Sequence, residues 1–299
     1  AARKTIGPEL EKRIQIIIDT GLIELNDDFK IYWNNFAIAK LTTGNDYLNP
    51  SFELIVDDIL EKNQTSKLSE YINKWIKYKV TTILKSLVDL KNLKEKNSSI
   101  KALAYQLYEN NGVLKREQVN DYLKSLEQNE RKILRELGVK FGRYHIFLHQ
   151  LIKPEAVSLR TLLWKNFHQK HYKLKPPTFG LNFIIDRYAY NKDFMLMCGF
   201  EKFDNFFVRI DILERLFIQI INSDSKKDGE IKIIPEMLNL LGCNKDNFKK
   251  LLNKMGYRIF DKEKETFFKY KPIKKNKKMP TNRVVYENPF KVLKDLKLK

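Results

Sequence analysis

The chain has 299 residues, a formal net charge of +19, and 43% apolar and 12% aromatic residues. These values exclude a disordered chain and predict a globular protein with two or more domains. The charge predicts a polyanionic partner, which is either nucleic acid or an anionic membrane surface. Cys198 and Cys243 lack the spacing of a metal site or disulfide framework, and no apolar run is long enough to span a membrane. We therefore expect a cytoplasmic protein with reduced thiols and no membrane partner.

The first fifty residues (1–50) predict one helix and a small β element. Residues 8–20 place apolar side chains on one helical face, and Gly21 ends that helix. Three short apolar runs separated by polar turns then predict strands, at residues 22–25, 30–33 and 36–41.

Residues 51–172 predict a helical domain that contains a segment rich in glycine and aromatic residues. Its predicted helices cover residues 52–61, 67–90, 100–110, 115–126 and 130–137. The glycine-aromatic segment follows at residues 138–167, where Gly138 and Gly142 indicate an ordered turn between two short strands. Pro154 then predicts the first turn of another helix.

The glycine-aromatic segment interleaves cations with aromatic rings. This pattern suits a nucleic-acid strand, because cations meet phosphates and rings stack on bases. The candidate binding residues of the segment are Lys140, Arg143, Tyr144, Lys153, Arg160 and Lys165. The alternative is that the aromatic residues belong to the core and the cations are solvated, because aromatic side chains are commonly buried.

A boundary at residues 173–180, with two prolines and a glycine, separates the helical domain from a C-terminal domain at residues 173–272. A strand pair that includes residues 194–200 is predicted next, and Asp211 can cap the helix that follows. Residues 273–299 predict a basic tail in contact with solvent.

The C-terminal domain has the element order of a winged helix. A strand at residues 231–234, a helix opened by Pro235, a second helix at residues 245–255 and a hairpin follow one another. In winged helices the second helix can enter a groove of nucleic acid. The candidate contacts here are Lys245, Lys249, Lys250, Lys254 and Arg258. The predicted fold is thus a mainly α, α+β protein, with a helical N-terminal half, a small β element and a winged-helix-like C-terminal domain.

The sequence lacks the motifs of the common catalytic and metal sites. It contains no phosphate-binding GxxxxGK[ST] loop, no DExH or DEAD box, and no HExxH or paired-cysteine metal motif. His145 and His149, and likewise His168 and His171, have spacings that would serve a metal on a helix, but no cysteine or carboxylate clusters with them. We therefore predict no catalytic residue, no metal site and no cofactor in this chain.

Seven segments, taken in order, give the chain a likeness to a known family. They are AYQLYENNG (104–112), GVKFGRYHIFL (138–148), LRTLLW (159–164), VRIDILERL (208–216), PEMLNLLG (235–242), LLNKMGYR (251–258) and NPFKVLKDLKLK (288–299). Together they resemble the C-terminal region of bacterial, especially alphaproteobacterial, DExH-box helicases related to the mitochondrial degradosome RNA helicase. The likeness extends over nearly the whole chain and is most specific at residues 138–164. His149 departs from it, because a proline is expected at that position.

The resemblance implies a region that follows two RecA-like motor domains, with ATP and Mg²⁺ expected only in those motor domains. It predicts that the sequence is a segment of a longer protein, in agreement with a first residue that is alanine. The implied function is to grip and guide single-stranded RNA or DNA for an ATP-dependent helicase. The implied partners are nucleic acid, the motor domains in cis and, as a further candidate, a nuclease.

Two other functions fit the same residues. The helical half would serve as a protein-interaction scaffold if it docks a helicase motor or a nuclease, and the lysines would then be solvated surface. Alternatively, the chain is a free-standing winged-helix DNA-binding protein, which would need to dimerise and bind a duplex sequence-selectively.

Overall fold

The computed structural model describes residues 2–56, 60–94, 98–169, 172–223, 229–263 and 265–270. These residues contain eleven α-helices and thirteen strands, and the strands form four small antiparallel sheets. The predicted α+β class is therefore confirmed. Two compact units divide the chain: unit 1 comprises residues 1–224 and 234–247, and unit 2 comprises residues 225–233 and 248–299. The four predicted domain ranges are a separate division and stay a prediction.

Unit 1 begins with helix α1 (Ala2–Thr20) and a four-stranded sheet in the order β1-β2-β3-β4. The strands are β1 (Ile23–Leu25), β2 (Lys30–Trp33), β3 (Phe36–Asp46) and β4 (Asn49–Leu54). The three strands predicted within residues 22–41 are confirmed. The third extends to Asp46 and pairs with β4 as a hairpin.

The helix predicted at residues 52–61 is wrong, because strand β4 occupies its first part. Along β4 the side chains alternate between exposed and half-buried positions, which is the period of a strand. Phe52 lies opposite Leu41, and Leu54 lies opposite Ala39. Pairing with the long strand β3 thus overrides a helical spacing that only a few apolar residues support.

Five helices build the middle of unit 1. They are α2 (Lys62–Ile83), α3 (Lys85–Lys91), α4 (Ser98–Glu109), α5 (Asn120–Ser125) and α6 (Gln128–Glu136). The long helix predicted at residues 67–90 is interrupted at Leu84, where the backbone leaves the helical region. The helix predicted at residues 115–126 is shorter than expected, because a 3₁₀ turn at Arg116–Val119 precedes α5.

A second sheet, in the order β5-β7-β6, carries the glycine-aromatic segment. Its strands are β5 (Val113–Lys115), β6 (Val139–Phe141) and β7 (His145–Leu148). The predicted pair of strands around Gly142 is confirmed. Helix α7 (Pro154–His168) follows with Pro154 in its first turn, as predicted.

A third sheet, in the order β8-β10-β9, completes the strands of unit 1. The elements in this part of the chain are β8 (Phe183–Ile185), α8 (Lys192–Met197), β9 (Phe200–Phe203), β10 (Phe206–Arg209), α9 (Ile210–Ile221) and α10 (Pro235–Leu241). The strand predicted at residues 194–200 is wrong. Most of it is helix α8, whose start is capped by Asn191, since Oδ1 of Asn191 accepts the backbone N–H of Phe194 at 2.8 Å.

The core of unit 1 brings helix α9 against the second sheet. A large apolar cluster joins helices α1 to α4 and α7 to the first two sheets, with Ile72, Leu103 and Leu148 fully buried. A smaller cluster packs Ile210, the first residue of α9, against Val113 and Phe147 of the second sheet. This contact holds the start of α9 beside the turn that joins β6 to β7.

Unit 2 contains strand β11 (Ile231–Lys232), most of helix α11 (Lys245–Lys254), and the hairpin of β12 (Tyr257–Lys262) and β13 (Glu265–Tyr270). The sheet order is β11-β13-β12. Phe248, Leu251 and Phe268 are fully buried. The predicted second helix and hairpin are confirmed. The predicted basic tail at 273–299 lies outside the described residues.

Candidate nucleic-acid interface

The turn Gly142–His145 is held by a hydrogen bond of its own and by contacts with Arg116, which directly follows β5. The Gly142 N–H donates to the His145 carbonyl at 2.8 Å, and the Arg116 N–H donates to the Tyr144 carbonyl at 2.8 Å. The guanidinium of Arg116 also donates to the Gly142 carbonyl at 2.7 Å. The turn is therefore an ordered element, as the two glycines in this segment predicted.

Glu214 of helix α9 binds the same turn through three consecutive backbone N–H groups. Its carboxylate accepts from Arg143 at 2.5 Å, Tyr144 at 2.8 Å and His145 at 2.9 Å. A Cβ at Gly142 would lie 2.4–2.7 Å from this carboxylate, which is closer than packed atoms approach. A larger side chain at position 142 would therefore displace the carboxylate of Glu214 from the turn.

His145 lies between two carboxylates and is 2% exposed. Its Nε2 is 3.1 Å from Glu201 Oε2, and its Nδ1 is 3.6 Å from Glu214 Oε1. Lys115 Nζ contacts the second oxygen of Glu201 at 2.5 Å. These residues form a buried network that ties β5, β7, β9 and α9 together.

The network sets the charge states of its members. Burial by itself lowers the pKa of His145, but the hydrogen bond with Glu201 and the nearby carboxylate of Glu214 outweigh burial and raise that pKa above its ordinary value. Burial likewise acts to raise the pKa of Glu201, whereas hydrogen bonds with His145 and Lys115 lower it overall. Both shifts favour the charged forms of His145 and Glu201.

A groove of about 670 Å³ lies beside the turn, and we call it the aromatic groove. Its lining residues are Arg116, Lys140, Phe141, Gly142, Arg143, Phe147, His149, Asp211, Glu214, Arg215, Phe217 and Ile218. Three phenylalanines and an isoleucine give it an apolar floor, and four cations against two carboxylates make it basic. Both carboxylates have partners, since Asp211 pairs with Arg209 at 2.7 Å and Glu214 binds the turn.

Arg143 and Tyr144 both contact the floor of the aromatic groove. The guanidinium of Arg143 lies 5.8 Å from the ring centroid of Phe217, within the range of a cation–π contact. The ring of Tyr144 meets Phe217 edge to face at 5.7 Å. The Arg143 side chain is exposed and Tyr144 is half-buried, so both are within reach of a ligand.

A smaller cavity of about 330 Å³ lies near the turn, and we call it the histidine cleft. Lys115, Arg116 and Arg143 line it together with His145, Glu201 and Phe203. Arg116 and Arg143 therefore line both the histidine cleft and the aromatic groove. Because its lysine and histidine are already paired with Glu201, the cleft offers fewer unengaged cations than the groove.

The other predicted site residues of the glycine-aromatic segment fall into two groups. Lys140 is exposed on β6 and lines the aromatic groove with Arg143, whereas Tyr144 lines the histidine cleft. Lys153 is exposed at the start of α7 and lies outside the residues that line the groove. Arg160 and Lys165 point into the protein, so the phosphate contacts predicted for these two residues need correction.

Arg160 is 0% exposed, and its guanidinium donates to three carbonyl groups. The acceptors are Asn111 at 2.7 Å, Leu151 at 3.1 Å and Met197 at 2.5 Å. Burial lowers the pKa of Arg160 to about 10. A phosphate cannot reach this side chain, which instead ties helix α7 to two loops and the end of α8.

Lys165 is 4% exposed and is also enclosed. Its Nζ donates to the Leu174 carbonyl at 3.2 Å and lies 5.8 Å from the ring centroid of Phe29. Burial lowers the pKa of Lys165. Its position predicts a structural role in place of the expected phosphate contact.

The cations predicted for the winged-helix face are mostly exposed. Lys245, Lys250, Lys254 and Arg258 are in contact with solvent, whereas Lys249 is half-buried. Lys249 Nζ lies 3.7 Å from Asp261 Oδ1. Arg258 lines a cleft of about 390 Å³ together with Phe260, Lys269 and Tyr270.

Sequence reasoning missed the residues that complete the aromatic groove. Arg116, Arg215 and Phe217 were not predicted as contacts, and Glu214 was predicted only as part of a helix. The turn and Glu214 are about seventy residues apart in the chain, so no local spacing connects them. Arg215 was open to prediction, because it is one of few charged residues in a mostly apolar helix.

The described residues contain no group of three or more His, Cys, Asp and Glu side chains placed to hold a metal ion. His145 lies in a strand and His149 in a 3₁₀ turn, so the two histidines do not share a helical face. His171 lies outside the described residues. Within the described ranges, no helix combines the length and the apolar character needed to cross a membrane.

Comparisons with known proteins add no relative to this description. No protein-family model, curated protein or solved structure matches the chain.

Proposed function

We propose that the aromatic groove binds single-stranded nucleic acid. The observation that carries this proposal is one groove with a floor of phenylalanine rings and a rim of Arg116, Lys140, Arg143 and Arg215. Its volume, about 670 Å³, lies within the range of about 300–1,000 Å³ typical of ligand sites. The net charge of +19 would attract a polyanion to this surface.

The aromatic floor favours single strands over duplexes. Bases of a single strand are free to stack on protein rings and on the planes of arginine side chains, whereas bases of a duplex already stack on one another. Each stacked base contributes about 1–3 kcal/mol, with little preference for sequence. Phe217 and the guanidinium that lies over it offer both kinds of surface.

The cations of the rim would bind the backbone of the strand. Lys140 and Arg143 are exposed on either side of Gly142, so both are available to phosphates. Binding of phosphates releases counterions, and affinity therefore falls steeply as the salt concentration rises. The expected behaviour is salt-sensitive binding without a strong preference for base sequence.

In the second part of this proposal, the exposed cations of α11 and β12 form a second basic face, that of a winged-helix-like domain. The order of α9, β11, α10, α11, β12 and β13 along the chain is that of winged helices. The exposed side chains of Lys250, Lys254 and Arg258 would add phosphate contacts there. The cleft that Arg258 lines contains two aromatic rings, those of Phe260 and Tyr270, whereas three phenylalanine rings line the aromatic groove.

The wider role in this proposal is that of a nucleic-acid-binding region attached to an ATP-dependent helicase motor. It rests on the resemblance of the segments between residues 104 and 299 to the region that follows helicase motor domains. The aromatic groove would hold the strand as it enters or leaves the motor. ATP hydrolysis would belong to the motor domains.

Fluorescence anisotropy tests the binding proposal directly. Labelled single-stranded RNA, single-stranded DNA and duplex DNA are titrated with the protein across a salt series, and the variants K140E and F217A are compared with the control K153E. K153E makes the same charge change as K140E, but outside the groove. We expect tight binding of single strands that K140E and F217A weaken and K153E leaves nearly unchanged. No binding at moderate salt, or equal losses in K140E and K153E, would overturn the proposal.

A protein segment is the second candidate for the aromatic groove. Ile218 is 56% exposed and lines the groove, and Ile221 on the same helix is 62% exposed. Exposed apolar side chains of this kind are typical of docking surfaces. This alternative predicts that I218S abolishes ligand binding, whereas the nucleic-acid proposal predicts a smaller effect than that of F217A.

A further inference from the structure

We propose that Glu214 is a positioning residue that holds Arg143 and Tyr144 in the orientation that binds the strand. The inference rests on the function proposed for the aromatic groove. It also gives a role to a buried carboxylate on a basic surface, where a polyanion-binding site would be better served by a neutral residue.

The first step is the geometry of the turn. Three consecutive N–H groups, at Arg143, Tyr144 and His145, converge on the carboxylate of Glu214 at 2.5–2.9 Å. A run of backbone N–H groups that faces one point forms an anion-binding concavity. Glu214 supplies that anion from within the protein, and the conformation of the turn is thereby fixed before any ligand arrives.

The second step is the direction of the side chains. Two of the residues whose N–H groups bind Glu214 carry the side chains that face Phe217. Phe217 lies three residues after Glu214 on α9, which places both on neighbouring positions of one helical face. One turn of α9 thus fixes the backbone at Arg143 and Tyr144 and also provides the ring on which their side chains rest.

The carboxylate of Glu214 is also largely buried, although the residue lines the aromatic groove. Glu214 is 8% exposed, and the ring of His145 covers it with Nδ1 at 3.6 Å. No side chain larger than glycine fits at position 142 without displacing the carboxylate. Both carboxylate oxygens are engaged by N–H groups of the turn, so Glu214 acts on the strand through the turn.

Asp211 provides a matched control on the same helix. It also lines the aromatic groove and also carries a negative charge, but it pairs with Arg209 at 2.7 Å, outside the turn. If charge alone mattered, D211N and E214Q would both strengthen the binding of a polyanion, because each removes one negative charge from the groove. If Glu214 positions the turn, the two substitutions have opposite effects.

The variant E214Q tests the inference with little change in shape. Its amide oxygen can still accept from Tyr144 and His145, but its NH₂ group faces the N–H of Arg143, donor against donor. E214D keeps the charge and withdraws the carboxylate by one methylene group. We expect both variants to weaken the binding of a single-stranded oligonucleotide by at least about fivefold, a factor that corresponds to the loss of one hydrogen bond.

The experiment measures affinity by anisotropy at several salt concentrations for wild type, E214Q, E214D, D211N, R143A and the double variant E214Q/R143A. E214Q is expected to reduce the slope of log affinity against log salt, because Arg143 no longer meets a phosphate. The losses in E214Q and R143A are expected to be less than additive, since both act through Arg143. A purely structural role would lower the amount of active protein and leave the slope unchanged.

Two results would overturn the inference. One is tighter binding by E214Q, equal to that of D211N. The other is full additivity of E214Q and R143A. Unchanged binding in E214Q would overturn it as well. If wild type itself binds no single strand, the proposed function fails, and this outcome is distinct from a failure of the inference about Glu214 alone.

Hydrogen exchange keeps the inference testable if the Glu214 variants do not fold. In the wild-type protein the amides of Arg143, Tyr144 and His145 are expected to exchange slowly, because all three donate to a buried carboxylate. The amide of Lys153, which donates to the Gln150 carbonyl at 3.3 Å in an exposed turn, serves as the comparison. Exchange of the three amides as fast as that of Lys153 would contradict a preset turn.

Discussion

Two arginines of the glycine-aromatic segment, Arg143 and Arg160, lie in opposite environments. Arg143 is exposed and lies over the ring of Phe217 at the aromatic groove, whereas Arg160 is fully buried among carbonyl groups. Both were predicted to hold phosphates, because both are cations close to aromatic residues. The composition of a segment therefore predicts that cations and aromatic rings lie close together. It does not predict whether a cation is exposed to solvent or buried among carbonyl groups.

The difference between the two arginines follows from what surrounds each of them. Around Arg160 three carbonyl groups converge, and a planar guanidinium with several donors binds all of them at once. Around Arg143 the backbone itself is satisfied by Glu214, and the side chain is left for other partners. The same residue type thus stabilises the core in one place and serves a surface in the other.

The largest expected effect is the loss of stability in R160M. Methionine fills much of the space but leaves up to three buried carbonyls without donors, so we expect a loss of at least about 3 kcal/mol of unfolding free energy. Chemical denaturation measures this loss, and K153M at the start of the same helix is the control. A change in R160M as small as that in K153M would contradict the structural role of Arg160.

Charge reversal at Arg143 is expected to lower the affinity for single strands and to leave stability nearly unchanged, which is the converse of R160M. R143E should weaken the binding of single strands by about 1–3 kcal/mol, because a phosphate contact is replaced by repulsion. Its unfolding free energy should change by less than about 0.5 kcal/mol, since the substituted side chain is exposed. Anisotropy and denaturation on the same sample separate the two quantities. Loss of stability without loss of affinity would reverse the roles given to Arg143 and Arg160.

The buried network below the turn predicts a dependence of stability on pH. The raised pKa of His145 means that its contribution is fully present below about pH 6.5, the ordinary value, and is lost as pH rises through the folded-state pKa. The lowered pKa of Glu201 has the opposite sign, so its contribution is present above pH 4.5 and is lost as pH falls through its folded-state pKa. Stability should therefore be greatest between these limits.

Unfolding of H145Q at several pH values tests the contribution of the network. One titrating group changes the unfolding free energy by at most about 1.4 kcal/mol per pH unit. We expect the decline of wild-type stability above pH 6.5 to be reduced in H145Q, while H149Q, at an exposed histidine, should behave as wild type does. Equal pH profiles in wild type and H145Q would show that folding does not shift the pKa of His145, which would contradict the contribution of the network.

The smallest expected effect belongs to the basic face of α11. The double variant K250E/K254E should weaken single-strand binding by about 1 kcal/mol and reduce the salt slope, because exposed lysines contact phosphates without reading bases. Lys249 is left unchanged, since a glutamate there would face Asp261. A loss of affinity larger than that in R143E would show that the main contact with the strand is on this face and not at the aromatic groove.

Much of the fold was predictable from local patterns. The glycines at 138 and 142 and the proline at 154 marked the strand pair and helix α7, because each of these residues restricts the backbone in a known way. Residues 52–61 and 194–200 were assigned wrongly, since short apolar runs have the same composition in strands and helices. In both places the neighbouring elements decided the outcome.

Only the part of the site that lies within one short segment was predictable. Lys140, Arg143 and Tyr144 lie within five residues of one another, so the turn by itself brings them close together. Glu214 and Glu201 come from distant elements, and no pattern within the sequence connects them to the turn. Arg160 was open to a better prediction, because it lies at helical spacing from Ala156 and Leu163, which are both buried.

Photo-crosslinking would test most directly whether the aromatic groove holds the strand. A single-stranded oligonucleotide that carries thiouridine is bound to the wild-type protein and irradiated, and the crosslinked peptides are identified by mass spectrometry. We expect crosslinks in residues 138–147 and 214–218, and we expect their loss in F217A. Crosslinks confined to residues 245–270 would contradict the proposal and would place the strand on the lysines of α11.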